Sequence, residues 1–593
     1  MDDDRPSAAE ISRSVRAAER SAVAIAAECL ARADAYDAIQ PQTWILRLAA
    51  DDVLARARVV DDRLAAGENL PLAGVPFAVK DNIDIAGVAT TAGCPAFAYT
   101  PARDAAVVSR LIAAGGIPIG KTNLDQFATG LVGARSPYGA CGCVFDRAFI
   151  SGGSSSGSAV ATAAGVVAFA LGSDTAGSGR VPAAFNGLFG FKPTKGRWST
   201  SGLVPACRSL DCVSVLTSNL SDAALIDALL AAPDESDPYS RAEPQTGISP
   251  LTRRLGIPPD DQLNWCADRR SAELFEAAVA GARQVGAEVV EVNVSALLEC
   301  ARMLYQGPWV AERAAAAAKL LRERPGAIHP VIRAILQAGA NVSAVEAFEG
   351  LYALKAYERA AARLWDEVDA LLMPTAPTIY RIAEVLAEPF ALNANLGIFT
   401  NFVNLLDMAA IAFPAGFRDD GPGFGVSFIG PAWSEARLLG LAAAFEATGP
   451  VEGPTLDLAA RPRTVKLAVV GAHLAGMPLH WQLTSRDARF VRACRTEPAY
   501  RLYATTASSP PKPALVHSRK GGAAIEVEVY ELEMAAFGEF TAEVPAPLAI
   551  GTITLEDGES VKGFVAEPRA ILGSREITDL GGWRAFVAAR DGS

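Results

Sequence analysis

The stretch from Ser151 to Thr194, SGGSSSGSAVATAAGVVAFALGSDTAGSGRVPAAFNGLFGFKPT, constrains the fold of this chain more than any other. It opens with a Gly/Ser loop, Gly152 to Gly157, that has almost no side chain to pack. An apolar run follows, Ala159 to Leu171, and then a second small-residue turn, Gly172 to Gly179, with Arg180 directly behind it. The apolar run reads as one buried helix with a glycine-rich loop at each end. Glycine lets backbone amides face a ligand because no Cβ blocks the approach. A single Ser/Gly loop is an ordinary turn. Two of them bracketing one apolar helix, the second carrying Asp174 and Arg180, point instead to hydroxyl chemistry, with Ser154 and Ser178 as the leading pair. Free amides from Thr175 through Ala176 and Gly177 to Ser178 would hold a developing oxyanion, usually the largest catalytic contribution in acyl transfer.

The Gly/Ser loop, the Asp174-to-Ser178 turn, Arg180 and the closing Gly190-to-Thr194 segment closely resemble the amidase signature family. That family also carries a V-K-D-N motif upstream, matched here by Val79 to Asn82. The resemblance covers about residues 70 to 447. It implies a Ser–Ser–Lys triad: Ser178 as nucleophile, Ser154 as bridging serine after a cis peptide at Gly153, and Lys80 as base. Read without the resemblance, a lysine at a strand end is usually a surface residue. Lys80 can act as a base only when neutral, and an unperturbed lysine titrates near ~10.4. Burial among Val75, Phe77, Val79 and Ile83 would lower that value. The proton would pass from Ser178 to Ser154 to Lys80 and return to the leaving amine. Such a mechanism suits a chain with four histidines.

Two further segments are similar to the branch of that family whose members hydrolyse allophanate. One runs from Ala128 to Gly139, and its glycine backbone at Gly130 is implied to touch substrate. The other is Leu304 to Arg313, where Tyr305 and Arg313 are implied to bind substrate. An arginine there is chemically apt, since its planar fork grips a carboxylate bidentately. Without the resemblance, Arg313 reads as part of a solvated helix face and Arg180 as a brace for the turn. The resemblance implies a small-molecule substrate, allophanate, no cofactor and no metal, and a homodimer. Two readings within the family stay open: an aryl or aliphatic amidase with an apolar pocket, and a glutaminase-type component of a tRNA amidotransferase.

Two motifs compete for the chemistry. Gly115 to Thr122 matches the phosphate-loop spacing letter for letter. A phosphate loop follows a strand and opens a helix, whereas Val107 to Ala114 reads as a helix and Ile117 to Ile119 as a strand inside the motif. Gly153 to Gly157 fits G-x-S-x-G with Ser155 as nucleophile. That class needs a strand into the elbow, and only Phe149-Ile150 precedes it.

A net charge of −12 argues against nucleic acid, whose binding needs clustered Lys and Arg. The nine cysteines show no framework, and no histidine lies near Cys141 and Cys143, so neither zinc nor disulfides are expected. The acidic start is unlike a secretory leader, and the run Ala159 to Leu171 is shorter than the ~20 residues a bilayer requires. The expectation is a cytoplasmic protein that uses no membrane.

The fold expected is α/β: an amidase signature domain over 1–455, with a mixed central sheet covered by helices. Its pieces include a helical pattern from Ser7 to about Tyr36, a helix over 51–66, a strand ending at Lys80 and a strand over Ala370 to Pro377. Asn401 to Phe413 and Gly425 to Gly430 are expected as closing strands. Thr448 to Pro454 and Arg461 to Arg463 mark a linker. A smaller α+β domain over 466–593 follows. It resembles the C-terminal domain of the same branch, which has a γ-glutamyl-cyclotransferase-like fold. His473, on the Gly471-to-Leu479 loop, is its best catalytic candidate; the alternative is a structural or dimer-forming domain with a satisfied histidine.

Overall fold

The computed structural model describes residues 5–244, 254–447, 451, 453–454, 456, 464–505, 510–518 and 520–591. Contacts divide the chain into two compact units, Met1–Ala459 and Ala460–Ser593. Most of the expected linker, including 448–450, 452 and 461–463, lies outside the described residues.

In the first unit, eleven strands among the described residues form one sheet. They are β1 Trp44–Arg47, β2 Pro76–Lys80, β3 Ile117–Thr122, β4 Phe169–Asp174, β5 Phe189–Lys192, β6 Cys212–Thr217, β7 Arg254–Ile257, β8 Glu288–Glu291, β9 Ala370–Pro374, β10 Ala409–Phe417 and β11 Gly423–Gly430. Their spatial order is β1-β3-β2-β4-β6-β5-β10-β11-β9-β7-β8. The sheet is mixed: β2 runs parallel to β3 and β4, and β7 parallel to β8 and β9, whereas β4–β6, β5–β6, β10–β5 and β10–β11 are antiparallel. Every residue of β2, β3 and β4 is buried, as expected of strands covered on both faces.

Register decides where the chemistry lies. Phe77 pairs with Phe169 and Val79 with Leu171. The parallel strands β2 and β4 therefore deliver Lys80 and Ser173-Asp174 to the same edge, the carboxyl ends of the strands, where open α/β sheets bind ligands. Antiparallel β6 begins at that edge, with Cys212 opposite Asp174 and Asp211 just before it.

Two expectations need correcting. Ala159 to Leu171 is not one helix. A helix spans Ser156–Ala163, and the chain then turns into β4. The cause is Gly165, at φ +69, whose amide bonds to Thr162 O while Val166 N bonds to Ala161 O. That glycine-centred pattern ends helices, and the β-branched pair behind it favours a strand. Asn401 to Phe413 is likewise split: Asn401–Leu405 is helical and β10 starts at Ala409. The pattern from Ser7 to Tyr36 is two helices, Ala8–Arg16 and Ala22–Asp37, each capped by its preceding serine. The segment from Ile117 is strand throughout, not a phosphate loop. Its Lys121 is buried and ion-paired to Asp81 Oδ1 at 2.9 Å.

The second unit is smaller and rich in strands. Its strands are β12 Thr464–Val469, β13 Arg489–Arg495, β14 Tyr500–Ala504, β15 Pro513–His517, β16 Glu526–Glu533, β17 Leu548–Thr554, β18 Ser560–Ala566 and β19 Arg575–Glu576. Among the described residues they form a five-stranded sheet, β13-β16-β12-β18-β17, and a three-stranded one, β15-β14-β19. Helices Met534–Ala542 and Trp583–Asp591 accompany them. Its core, from Leu467 to Trp583, is its own.

Candidate active site

Lys80 is wholly buried at the end of β2. Its Nζ lies 2.7 Å from Ser154 Oγ, 2.8 Å from Ser173 Oγ and 3.4 Å from Ser173 O. Burial pulls its pKa down to about 7, against the opposing charges of Asp125, Asp174 and Asp211. A substantial fraction of the amine is then unprotonated at neutral pH, with a lone pair available to a hydroxyl proton. The expected lysine–serine contact is therefore present. Ser173 is a second hydroxyl partner that sequence reasoning passed over, although it stands within the small-residue turn already singled out.

The Gly153–Ser154 peptide is cis. No side chain fits at Gly153: a Cβ there would stand 2.3 Å from Asp125 Oδ2 and 2.6 Å from Gly133 N. Ser155, the competing nucleophile, spends its hydroxyl on β4, with Oγ donating to Ser173 O at 3.2 Å and accepting from Ser173 N at 3.3 Å. Ser178 Oγ is buried and finds no hydrogen-bond partner among the described residues. Its carbonyl accepts from Ser155 N at 3.1 Å, so the two serine loops are tied together through the backbone. The link from Ser178 Oγ to Ser154 Oγ is not formed as a hydrogen bond in this state.

Asp174 and Arg180 hold the turn between them. Arg180 Nε and Nη2 each donate to an Asp174 carboxylate oxygen at 2.9 Å, and Nη2 also reaches Thr400 O and Asn404 Oδ1 at 3.2 Å. Burial works against the Asp174 carboxylate, but Arg180 outweighs it and holds the pKa at about 2. Asp174 also takes the Gly177 amide at 2.8 Å and the Gly179 amide at 3.1 Å. Of the four amides expected in the oxyanion cradle, that of Gly177 is thus turned away. Those of Thr175, Ala176 and Ser178 donate to no protein acceptor among the described residues. Gly177 serves by its shape: at φ +121 it packs where a Cβ would meet Thr400 Oγ1 at 2.4 Å.

A loop from Asp125 to Arg135 joins this centre to a cationic pocket. Asp125 N donates to Ser154 O at 3.3 Å, and the Asp125 carboxylate gathers the amides of Val132, Gly133 and Arg135. Gly130 lies against the same carboxylate, where a Cβ would sit 2.5 Å from Oδ2. Thr129 Oγ1 accepts from Arg313 Nη1 at 3.1 Å. Arg313 is 2% exposed, so it is no solvated helix face. Its guanidinium carbon lies 4.9 Å from the centre of the Tyr305 ring, and its Nε and Nη2 have no partner among the described residues. A buried guanidinium with two idle donors is prepared for an anion such as a carboxylate.

Sequence reasoning assigned no role to two neighbours. Arg135, 3% exposed, donates from Nη1 to Thr129 O at 3.1 Å. Burial lowers its proton affinity, Asp125 opposes that, and the charge of Arg313 adds to it. Asp211 accepts from Thr175 Oγ1 at 2.5 Å and from Ala206 N at 2.8 Å, and burial pushes its pKa up to about 6. Arg135 was legible as a charge within an apolar run, and Asp211 only through the register of β6. His473 belongs to the second unit. Its imidazole packs between Phe540 and Phe564, and its Nε2 lies 2.8 Å from Gln482 Oε1. No group of three or more His, Cys, Asp or Glu able to hold a metal occurs among the described residues. No helix among them is long and apolar enough to cross a membrane.

Comparison with known proteins adds to this geometry. Residues 25–439 match the amidase family model, and residues 465–588 match that of the allophanate hydrolase C-terminal domain. The chain is 43% identical over 572 residues to a urea amidolyase of Saccharomyces cerevisiae, a match covering 92% of this chain and 31% of that protein. The chain thus spans about a third of the length of the urea amidolyases it matches. It is 35% identical over 438 residues to a component of the glutamyl-tRNA(Gln) amidotransferase of Lacticaseibacillus paracasei, covering 68% of this chain and 89% of that one. Among solved structures, the allophanate hydrolase of Kluyveromyces lactis superposes with a TM-score of 0.71 at 39% identity, covering 99% of this chain and 100% of the other.

Proposed function

This chain belongs to the amidase family, and from that premise we propose that it hydrolyses allophanate. The observation that carries the reading is the buried Lys80 amine 2.7 Å from Ser154 Oγ, with the unpartnered Ser178 hydroxyl on the adjoining turn. Ser178 Oγ attacks the carbonyl of the terminal amide. Its proton moves to Ser154, whose own proton moves to Lys80. The tetrahedral oxyanion lies on the free amides of the Thr175-to-Ser178 turn, each such donor contributing about 2.7–4 kcal/mol. The C–N bond breaks, the amine leaves as ammonia with the proton returned by Lys80 through Ser154, and water then cleaves the acyl-enzyme. The products are ammonia and N-carboxycarbamate.

Substrate selection falls to Arg313, whose idle Nε and Nη2 would receive the carboxylate, with Tyr305 beneath the guanidinium and Gly130 lining the loop. The second unit, with His473, would promote loss of CO₂ from N-carboxycarbamate. The match to the allophanate hydrolase C-terminal domain over residues 465–588 supports this over an amidotransferase component, because the amidotransferase relatives cover 68–74% of the chain whereas the urea amidolyases cover 92%. A homodimer in the cytoplasm completes the reading; light scattering on the purified chain would test the dimer.

The test is a substrate panel. Purified protein is expected to release ammonia from allophanate and malonamate far faster than from propionamide, and Ser178→Ala to abolish release while still binding malonate. Turnover by Ser178→Ala, or equal rates on neutral amides, would remove the assignment.

A further inference from the structure

The second unit holds a cavity with about 110 Å³ of free volume between the ends of β12, β15 and β18 and the helix Met534–Ala542. Its floor is aromatic. The His473 imidazole stacks on Phe564, with ring centres 5.0 Å apart and planes 16° apart, and meets the edge of Phe540 at 5.2 Å. Burial among these rings lowers the proton affinity of His473. Gln482 opposes that shift, while the charge of Lys512 and a nearby His480 add to it. The ring is therefore neutral near pH 7. A neutral imidazole donates from one nitrogen only. With Gln482 Oε1 at 2.8 Å from Nε2, the contact is a hydrogen bond when the proton is on Nε2, and Nδ1 then keeps its lone pair.

Charge in the cavity is unbalanced. Lys512 lines it and is half-buried, and its ammonium has no hydrogen bond or ion pair among the described residues. Glu543 also lines it, but its Oε1 is taken by Arg486 Nη2 at 2.6 Å. The cavity thus sets an ammonium over an aromatic floor beside an imidazole, while its one lining carboxylate, Glu543, is drawn to Arg486. Such an arrangement suits a small anion with oxygens for the ammonium.

We propose that this cavity binds a small carboxylate through Lys512, with Gln482 fixing His473 in the tautomer that leaves Nδ1 as acceptor. The proposal rests on the reading that the second unit acts on the carboxylated product of the first. It adds the group that anchors that product and the group that orients the imidazole.

The test uses full-length protein carrying ¹⁵N-labelled histidine, titrated with malonate and read by NMR. The four histidines give four sets of resonances, of which His473 is assigned by substitution. The titration is repeated in Arg313→Ala, so that malonate held at the Arg313 pocket does not contribute to the response. In wild type, malonate is expected to shift His473. In Lys512→Gln the same response should need about tenfold more malonate, the scale of one charge-assisted hydrogen bond, and Lys512→Arg should keep most of it. ¹⁵N shifts should show the proton on Nε2 before malonate is added. No response of His473 to malonate, or the same response in Lys512→Gln, overturns the anchor, and a proton on Nδ1 overturns the role of Gln482. The underlying reading is tested apart from these: if His473→Asn does not slow the decay of ¹³C-labelled N-carboxycarbamate, the second unit is not acting on it, whatever malonate does.

Discussion

Lys80 is a base only while it lacks a proton, and its chemistry should therefore follow pH. Burial brings its pKa down to about 7 in spite of three nearby carboxylates. The protonated form is the inactive one, so kcat/KM for ammonia release should rise with pH through the neutral range. Below the pKa it should fall about tenfold for each pH unit. A pH–rate profile of the wild type would show this limb, and a flat profile down to pH 5 would remove Lys80 from the base role. Arg313 permits an equally local prediction. Its Nε and Nη2 are buried without acceptors, so the pocket is unsatisfied until an anion enters. In Arg313→Ala, kcat/KM for malonamate should fall about a hundredfold, roughly 2.7 kcal/mol, as expected when one partner of a buried charge pair is removed. Propionamide, which has no carboxylate, should be hydrolysed at a rate little changed. Equal losses on both substrates would place Arg313 in the scaffold and not in recognition.

At the level of elements, the turn between β4 and the helix Arg180–Phe185 is held by one buried ion pair. Asp174 accepts twice from the Arg180 guanidinium and from the amides of Gly177, Gly179 and Arg180, so removing the guanidinium leaves a buried carboxylate with only its amide donors. Arg180→Met should cost about 3–5 kcal/mol of stability, the usual penalty for stranding one buried charge. Urea denaturation would measure it, and a loss under 1 kcal/mol would show that the turn does not depend on the pair. The same turn marks what could be read in advance. Ser154 and Ser178 stand out because their small-residue surroundings are unusual, whereas Lys80, at a strand end, is singled out only by the family resemblance of the segment Val79 to Asn82. The strand β4 does not stand out, since a continuous apolar run has no period by which helix and strand can be told apart. The one clue was Gly165, whose left-handed backbone ends the helix. The commitment of the Gly177 amide to Asp174 was equally hidden, because it depends on which way the turn faces and not on its composition.

Across the whole molecule, the separation into two bodies predicts how the chemistry should divide. Lys80, Ser154, Ser178, Arg135, Tyr305 and Arg313 all belong to the first unit, as does every residue of the two largest cores. The second unit has a core of its own from Leu467 to Trp583. A fresh strand pattern begins after Arg463 in the sequence, whereas the eleven-strand order has no such signature, because it joins strands as far apart in sequence as β1 and β3 or β5 and β10. A fragment of residues 1–459 retains every group proposed for the first reaction and none of those proposed for the second. It should release the first ammonia from allophanate, since no part of the relay or of the arginine pocket is drawn from elsewhere in the chain. It should also let N-carboxycarbamate build up, to decay only at its uncatalysed rate, while the full chain consumes it as it forms. ¹³C NMR of labelled allophanate would follow both species together. A fragment that folds, as judged by circular dichroism, yet consumes the intermediate as fast as the full chain would mean that the second unit contributes nothing to the chemistry, and a folded fragment that releases no ammonia would mean that the first centre is incomplete without it.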